Sequence, residues 1–225
     1  MPETQGKTET MRTGPRIQKM AMLPFRPGLM RFQISRVLRF GVVIAIAYIS
    51  SSTLSRAEDD QKICEQYLPA ISRSEGVPLG VLYAVGLTET GKMGRLHPYA
   101  LNIEGTTVFT KDRREALAAF RKARDKGKKL IDLGCMQINH YYHGSYFASV
   151  SEMLEPEKNI VYAAKFLKSL KQSEGSWTAA VARYHASPRV PKEQKRYVCM
   201  VAANLVMTGF GSWTPQSKFL CENND

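Results

Sequence analysis

Among the carboxylates of this chain, Glu89 has the least hospitable neighbours. It lies near the end of PLGVLYAVGLTET, residues 78–90, where Leu79, Val81, Leu82, Ala84, Val85 and Leu87 run almost all round a helix. Pro78 suits the first turn, and Gly91 closes the segment. An anion at that position is disfavoured twice, by burial and by the negative end of the helix dipole. Both effects raise the pKa. A carboxylic acid that keeps its proton near neutral pH can hand it to a leaving oxygen, which is what cleavage of a glycosidic bond requires. Taken alone, Glu89 is better read as a surface glutamate at a frayed helix end, so its meaning depends on what accompanies it.

Three clusters accompany it in order: Gly134-Cys135-Met136-Gln137-Ile138-Asn139, then Asn159-Ile160 with Ala163-Ala164-Lys165-Phe166-Leu167, then Ala182-Arg183-Tyr184-His185-Ala186. Together with Glu89-Thr90 this set resembles the soluble lytic transglycosylase domain. That family's pattern reads Glu-Ser, Gly-Leu-Met-Gln, Asn-Ile-x-x-Gly with Tyr-Leu, and Ala-Tyr-Asn. Each fragment is weak by itself, but four in the correct order at sensible spacings are strong. They cover about residues 62–190.

The resemblance implies a mainly α, lysozyme-like domain of the goose-lysozyme type with a small β-hairpin. It implies cleavage of the β-1,4 bond between N-acetylmuramic acid and N-acetylglucosamine in peptidoglycan, with no cofactor and no metal. Glu89, by its match to Glu-Ser, would protonate the leaving oxygen and then take the proton of the muramyl C6 hydroxyl as a 1,6-anhydro ring closes. The acceptor is intramolecular, so one acid can suffice where most glycosidases use two. Thr90, Met136, Gln137, Tyr184 and His185 match positions expected to contact substrate. Departures from the pattern include three at or beside the expected site. Thr90 stands for Ser and keeps a hydroxyl. Cys135 stands for Leu. His185 stands for Asn, which keeps hydrogen bonding and adds a titratable ring.

Competing carboxylates are Asp112, which reads as a helix cap, and Asp132, in an extended run; structural roles are expected for both. Asn159 is expected to hold the motifs together rather than touch sugar. His140, Tyr141, Tyr142 and His143 form an aromatic cluster in which packing is the main expectation and one ring serves as a subsite wall. Two histidines three apart raise a metal site, but no third ligand is evident. Two other functions remain open: a muramidase that hydrolyses the same bond with water, and a non-catalytic wall-binding assembly protein. The acid at an apolar helix end argues against the second.

The elements that must position these residues follow from periodicity and punctuation. A helix over 60–75 carries Ile63, Tyr67, Leu68 and Ile71 and stops at Gly76. The helix of Glu89 comes next. Residues 99–110 read as a hairpin turning at Glu104-Gly105. Asp112 and Glu115 open a helix through about Lys126. KKLIDLGCMQINHYYHG begins extended and ends in a short helix or loop. Pro156 opens a helix closed by Gly175, Ser176 caps SWTAAVARYHAS, and a last long helix covers about 192–207. The segment 209–225 is a polar tail held by Trp213, Phe219 and Cys221.

Residues 1–57 stand apart. Arg31, Arg36 and Arg39 precede the apolar run FGVVIAIAYI and a small-residue site at Ser55-Arg56-Ala57, the form of a secretory signal peptide behind an N-terminal extension. The run is ten residues, and a membrane span wants about 20. The expected domain is thus 58–208, and the expected compartment is the periplasm. Residues 1–57 carry seven of the twelve net positive charges, so nothing beyond a modest basic field remains for the rest. That speaks against a nucleic-acid partner and suits an anionic polymer. Peptidoglycan strands are the expected partner, met by a monomer. The compact size resembles specialised members of the family that open the wall locally, which makes a flagellum or secretion system a candidate further partner. Cys64, Cys135, Cys199 and Cys221 all lie beyond residue 57. Their even number in an exported chain points to two disulfides, with three pairings open. Cys64–Cys135 with Cys199–Cys221 is the pairing expected here.

Overall fold

The structure, a computed structural model, describes residues 62–222. The signal segment and the start of the expected domain lie outside them. Near the start of the described residues, a 3-10 turn at Glu65–Tyr67 runs into α1, Leu68–Glu75. Gly76 ends α1 in the left-handed conformation, φ 69°, which a residue without a Cβ adopts cheaply. Helix α2, Leu79–Thr90, follows and is apolar round most of its circumference; Leu82, Ala84, Val85 and Leu87 are all buried.

A four-stranded antiparallel sheet comes next, in the order β2-β1-β3-β4. Strands β1, Ala100–Ile103, and β2, Thr106–Phe109, form the expected hairpin at Glu104-Gly105. The sequence indicated this hairpin alone. The extended run ahead of the Gly-Cys-Met-Gln segment supplies β3, Ile131–Leu133, which pairs with β1, and β4, Ile138–Asn139, extends the edge. Between the halves of the sheet lies α3, Arg113–Asp125, capped by Asp112, whose Oδ1 accepts the Glu115 N–H at 2.8 Å. The short helices α4, His140–His143, and α5, Val150–Met153, lead to α6, Pro156–Glu174. Then come α7, Trp177–His185, and α8, Pro191–Met207.

One core joins these elements. Helix α2 packs on α8, α6 on α7, and α7 on α8, while Leu101, Ile131 and Leu133 of the sheet share the core with Leu82, Ile160 and Leu167. The disulfides are Cys64–Cys135 and Cys199–Cys221. The first closes a separation of 71 residues and pins the start of the turn before α1 to the loop between β3 and β4. In a chain-entropy account that is worth about 4.4 kcal/mol. The segment after 208 is more ordered than a polar tail: Pro215–Glu222 forms helix α9, and the second disulfide ties it back to α8. Phe219, expected to anchor it, is 73% exposed. Among the described residues, no helix is long and apolar enough to cross a membrane.

Candidate active site

Helix α2 ends on Glu89 and Thr90, and they divide the work by pointing to different places. Thr90 is buried. Its hydroxyl donates to the Cys135 carbonyl at 2.9 Å, has the Gly86 carbonyl at 3.2 Å, and accepts the His97 N–H at 3.3 Å. Thr90 therefore joins three segments beneath the site. Glu89 instead faces a cleft of about 310 Å³ that it shares with Gln137, Tyr184 and His185, three of the residues singled out in the sequence.

The floor of that cleft is the loop 134–137 between β3 and β4. It turns on Gly134, φ 81°, and Gln137, φ 48°. A side chain at 134 would strike the Asn159 amide, since a Cβ there would stand 2.7 Å from Nδ2. Asn159, fully buried, accepts the Met136 N–H at 2.8 Å and donates to the carbonyls of Leu133 and Met153, both at 2.9 Å. Satisfying every polar atom of a buried amide fixes the loop in one arrangement. Asn159 thus holds the motifs together, as the sequence led us to expect.

The Met136 side chain is fully buried and Thr90 is covered, so these two support the floor and their side chains do not reach the cleft. This corrects the expectation that both contact substrate; the apolar thioether is drawn into the core, and the hydroxyl is committed to backbone carbonyls. Gln137 does line the cleft, yet its Nε2 is occupied by the carbonyls of Ala100, 3.1 Å, and Gly134, 3.0 Å. Tyr184 lines the wall with its hydroxyl donating to the Met136 carbonyl at 2.8 Å, so it braces the floor and does not bond Glu89.

The hydroxyl that does reach Glu89 belongs to Tyr197 on α8, which donates to Oε1 at 2.6 Å. No sequence signal points to this: Tyr197 reads as one apolar residue on a helix 108 positions away, and only the packing of α2 on α8 unites them. His185 lies flat on the Tyr197 ring, with centroids 4.2 Å apart and planes at 2°.

Burial is the main cause that pushes the Glu89 carboxyl up to about 8; the Tyr197 hydrogen bond opposes it, and the Asp132 charge reinforces it. Asp132 also lines the cleft, in place of the purely structural role expected of it. It accepts a 2.6 Å hydrogen bond from Asn139 Nδ2, and burial raises its pKa too. Asp112 keeps its capping role. His185 is shifted down by burial and then by Arg196, with Glu193 opposing. The far wall holds Tyr142, 64% exposed, and His143, whose Nδ1 meets the Tyr162 hydroxyl at 2.8 Å. Among the described residues, no group of three or more His, Cys, Asp or Glu side chains could hold a metal ion.

A mainly helical domain carrying a small four-stranded antiparallel sheet is consistent with a lysozyme-like fold, and in it a carboxyl with a raised pKa lines a cleft. Residues 66–205 match the family model described as the transglycosylase SLT domain, and the chain belongs to that family, whose members cleave peptidoglycan. Neither a curated protein nor a solved structure matches the chain.

Proposed function

We propose that the chain is a peptidoglycan lytic transglycosylase that cuts the bond between N-acetylmuramic acid and N-acetylglucosamine and leaves a 1,6-anhydro-muramyl end, with Glu89 as acid and then base. The observation that carries this is the state of Glu89. Its pKa of about 8 leaves it protonated at neutral pH, and Tyr197 donates into Oε1, so Oε2 is the oxygen left to carry the proton. In the first step that proton passes to the glycosidic oxygen as the C1–O bond breaks, and the neighbouring N-acetyl oxygen supports the positive C1. In the second step the Glu89 carboxylate takes the C6 hydroxyl proton as O6 bonds to C1. Glu89 ends protonated, and no water is consumed.

Gln137, Tyr184 and His185 line the cleft as sugar contacts in this reading, while Thr90 and Met136 act through the floor. Tyr142 offers an exposed ring on which a sugar can stack. The signal-like N-terminus and the paired cysteines support a periplasmic site of action. The same small domain suits recruitment by a wall-spanning machine, met as a monomer.

Asp132 favours one alternative. A second carboxylate in the same cleft is what a hydrolysing muramidase uses to activate water. Its own pKa is raised by burial, however, which weakens it as a base at the acidic end of the range. Digestion of purified peptidoglycan by the oxidised protein, with mass spectrometry of the products, separates the readings. Anhydro-muramyl ends that disappear in Glu89→Gln support the transglycosylase. Reducing ends identify a muramidase. A folded, inactive parent points to a binding or assembly role.

A further inference from the structure

The segment leaving the Glu89 helix builds a second cavity, about 670 Å³, that shares no residue with the cleft. Lys92, Arg95 and Lys111 line it together with Leu96, Pro98 and Tyr99, and no carboxylate does. Lys92 and Lys111 have no salt-bridge partner among the described residues. The Lys92 ammonium rests 4.7 Å above the Phe109 ring centroid, and Glu115 Oε2 is taken by the Lys111 backbone N–H at 2.9 Å. His97 is shifted down by burial and then by Lys92, so it adds no charge near neutral pH.

Backbone geometry holds the cations in place. Lys92 and Arg95 pair across a two-residue turn, exchanging hydrogen bonds at 3.0 and 3.2 Å. Met93 takes the first turn position at φ 55°, strained for a residue with a side chain, and projects 93% exposed at the tip. The His97 N–H to Thr90 and the Leu96 N–H to Glu65 Oε1, 2.8 Å, anchor the other end of the segment.

We propose that this groove binds the anionic stem peptide that the glycan substrate carries, with Lys92, Arg95 and Lys111 meeting its carboxylates and Pro98 and Tyr99 its aliphatic parts. The inference rests on peptidoglycan being the substrate. Three converging cations on an apolar floor match a short peptide that is aliphatic between free carboxylates. The reach is adequate. Lys92 follows Glu89 by three residues, so their Cα atoms are at most about 11 Å apart, and four extended peptide residues span about 13 Å. Four extended residues are thus long enough to cover the separation of the two backbone positions.

The direct test is titration of the full oxidised protein with the free stem tetrapeptide, L-alanyl-γ-D-glutamyl-meso-diaminopimelyl-D-alanine, followed by NMR. The expected result is saturable, salt-sensitive shifts at Tyr99 and His97, weakened about tenfold in Lys92→Glu/Lys111→Glu and in the peptide with amidated carboxyls. In digestion, the double variant should raise KM about tenfold more on peptide-bearing strands than on strands stripped by an amidase. Shifts centred on Tyr184, equal binding of the amidated peptide, equal binding of tetraglutamate, or equal KM changes on both strands would overturn the proposal. Peptide binding in the groove by a protein that cleaves no glycan would uphold the site and sink the transglycosylase reading, so the two failures are separable.

Discussion

The cleft at Glu89 and the groove at Lys92 begin three residues apart, yet opposite kinds of titratable group line them. The cleft is lined by two carboxyls, Glu89 and Asp132, and by no lysine or arginine; the groove is lined by three cations and no carboxyl. The difference follows from how far each group is withdrawn from water. Glu89 is held against the core, where a nearby ammonium would stabilise its anion and take away the proton it needs. Lys92 and Lys111 stand at the surface, where water solvates a cation cheaply. Thr90 lies between them, tied to the cleft floor through Cys135 and to the groove through His97. An acid with a raised pKa and a cation cluster can thus be near neighbours when one is largely withdrawn from water and the other is exposed.

The most severe way to break this contrast is to remove the acid. Glu89→Gln should lower turnover of peptidoglycan by about 10²–10⁴-fold, read as anhydro-muramyl product, with the fold intact by circular dichroism. The same variant sharpens the argument through stability. Glu89 has a folded pKa near 8 against an ordinary value of 4.5. Between these values the folded protein keeps a proton that the unfolded chain releases, so this group's contribution to stability declines as pH rises from about 4.5 to about 8. The melting advantage of Glu89→Gln over the parent should therefore grow across that interval. A constant difference between the two would mean that Glu89 is not held protonated.

Thr90→Val keeps the shape and deletes the hydroxyl that bridges both regions. It should cost about 2 kcal/mol in urea unfolding, with Thr90→Ser losing far less. Tyr197→Phe removes the donor to Oε1. Turnover should fall about tenfold and the basic limb of the pH profile should move upward, because that hydrogen bond favours the ionised carboxyl. The smallest effect is expected from bringing the groove's chemistry into the cleft. Asn102→Lys places an ammonium beside Glu89 and should move the basic limb downward by about one unit, the opposite direction from Tyr197→Phe. If both variants moved the limb the same way, Glu89 would not be the group being titrated.

Much of this arrangement was legible in the sequence because it is local. The circumferential apolar pattern of 78–90 requires a buried helix, and a buried helix ending in Glu requires a carboxyl with a raised pKa. Asp112, Ser176 and Gly76 mark helix ends because each supplies what a terminus lacks: a side-chain acceptor at the first two, freedom to turn left-handed at the third. The ordered motifs indicated the family, and Asn159 was readable as a brace. Tertiary packing decided what depends on distant elements meeting. It brought Tyr197 to Glu89 and His185 onto Tyr197, and it put Asp132 in the cleft wall. It turned Thr90 and Met136 inward and joined β3 and β4 to the hairpin. It also gathered Lys92, Arg95 and Lys111, which the sequence presents as unrelated surface charges, around one groove. Helix periodicity and capping act within a few residues, so a chain can be read for them one segment at a time. Which hydroxyl bonds a carboxylate, and which side chains share a cavity, depends on the approach of segments a hundred residues apart, and only the folded core fixes that approach.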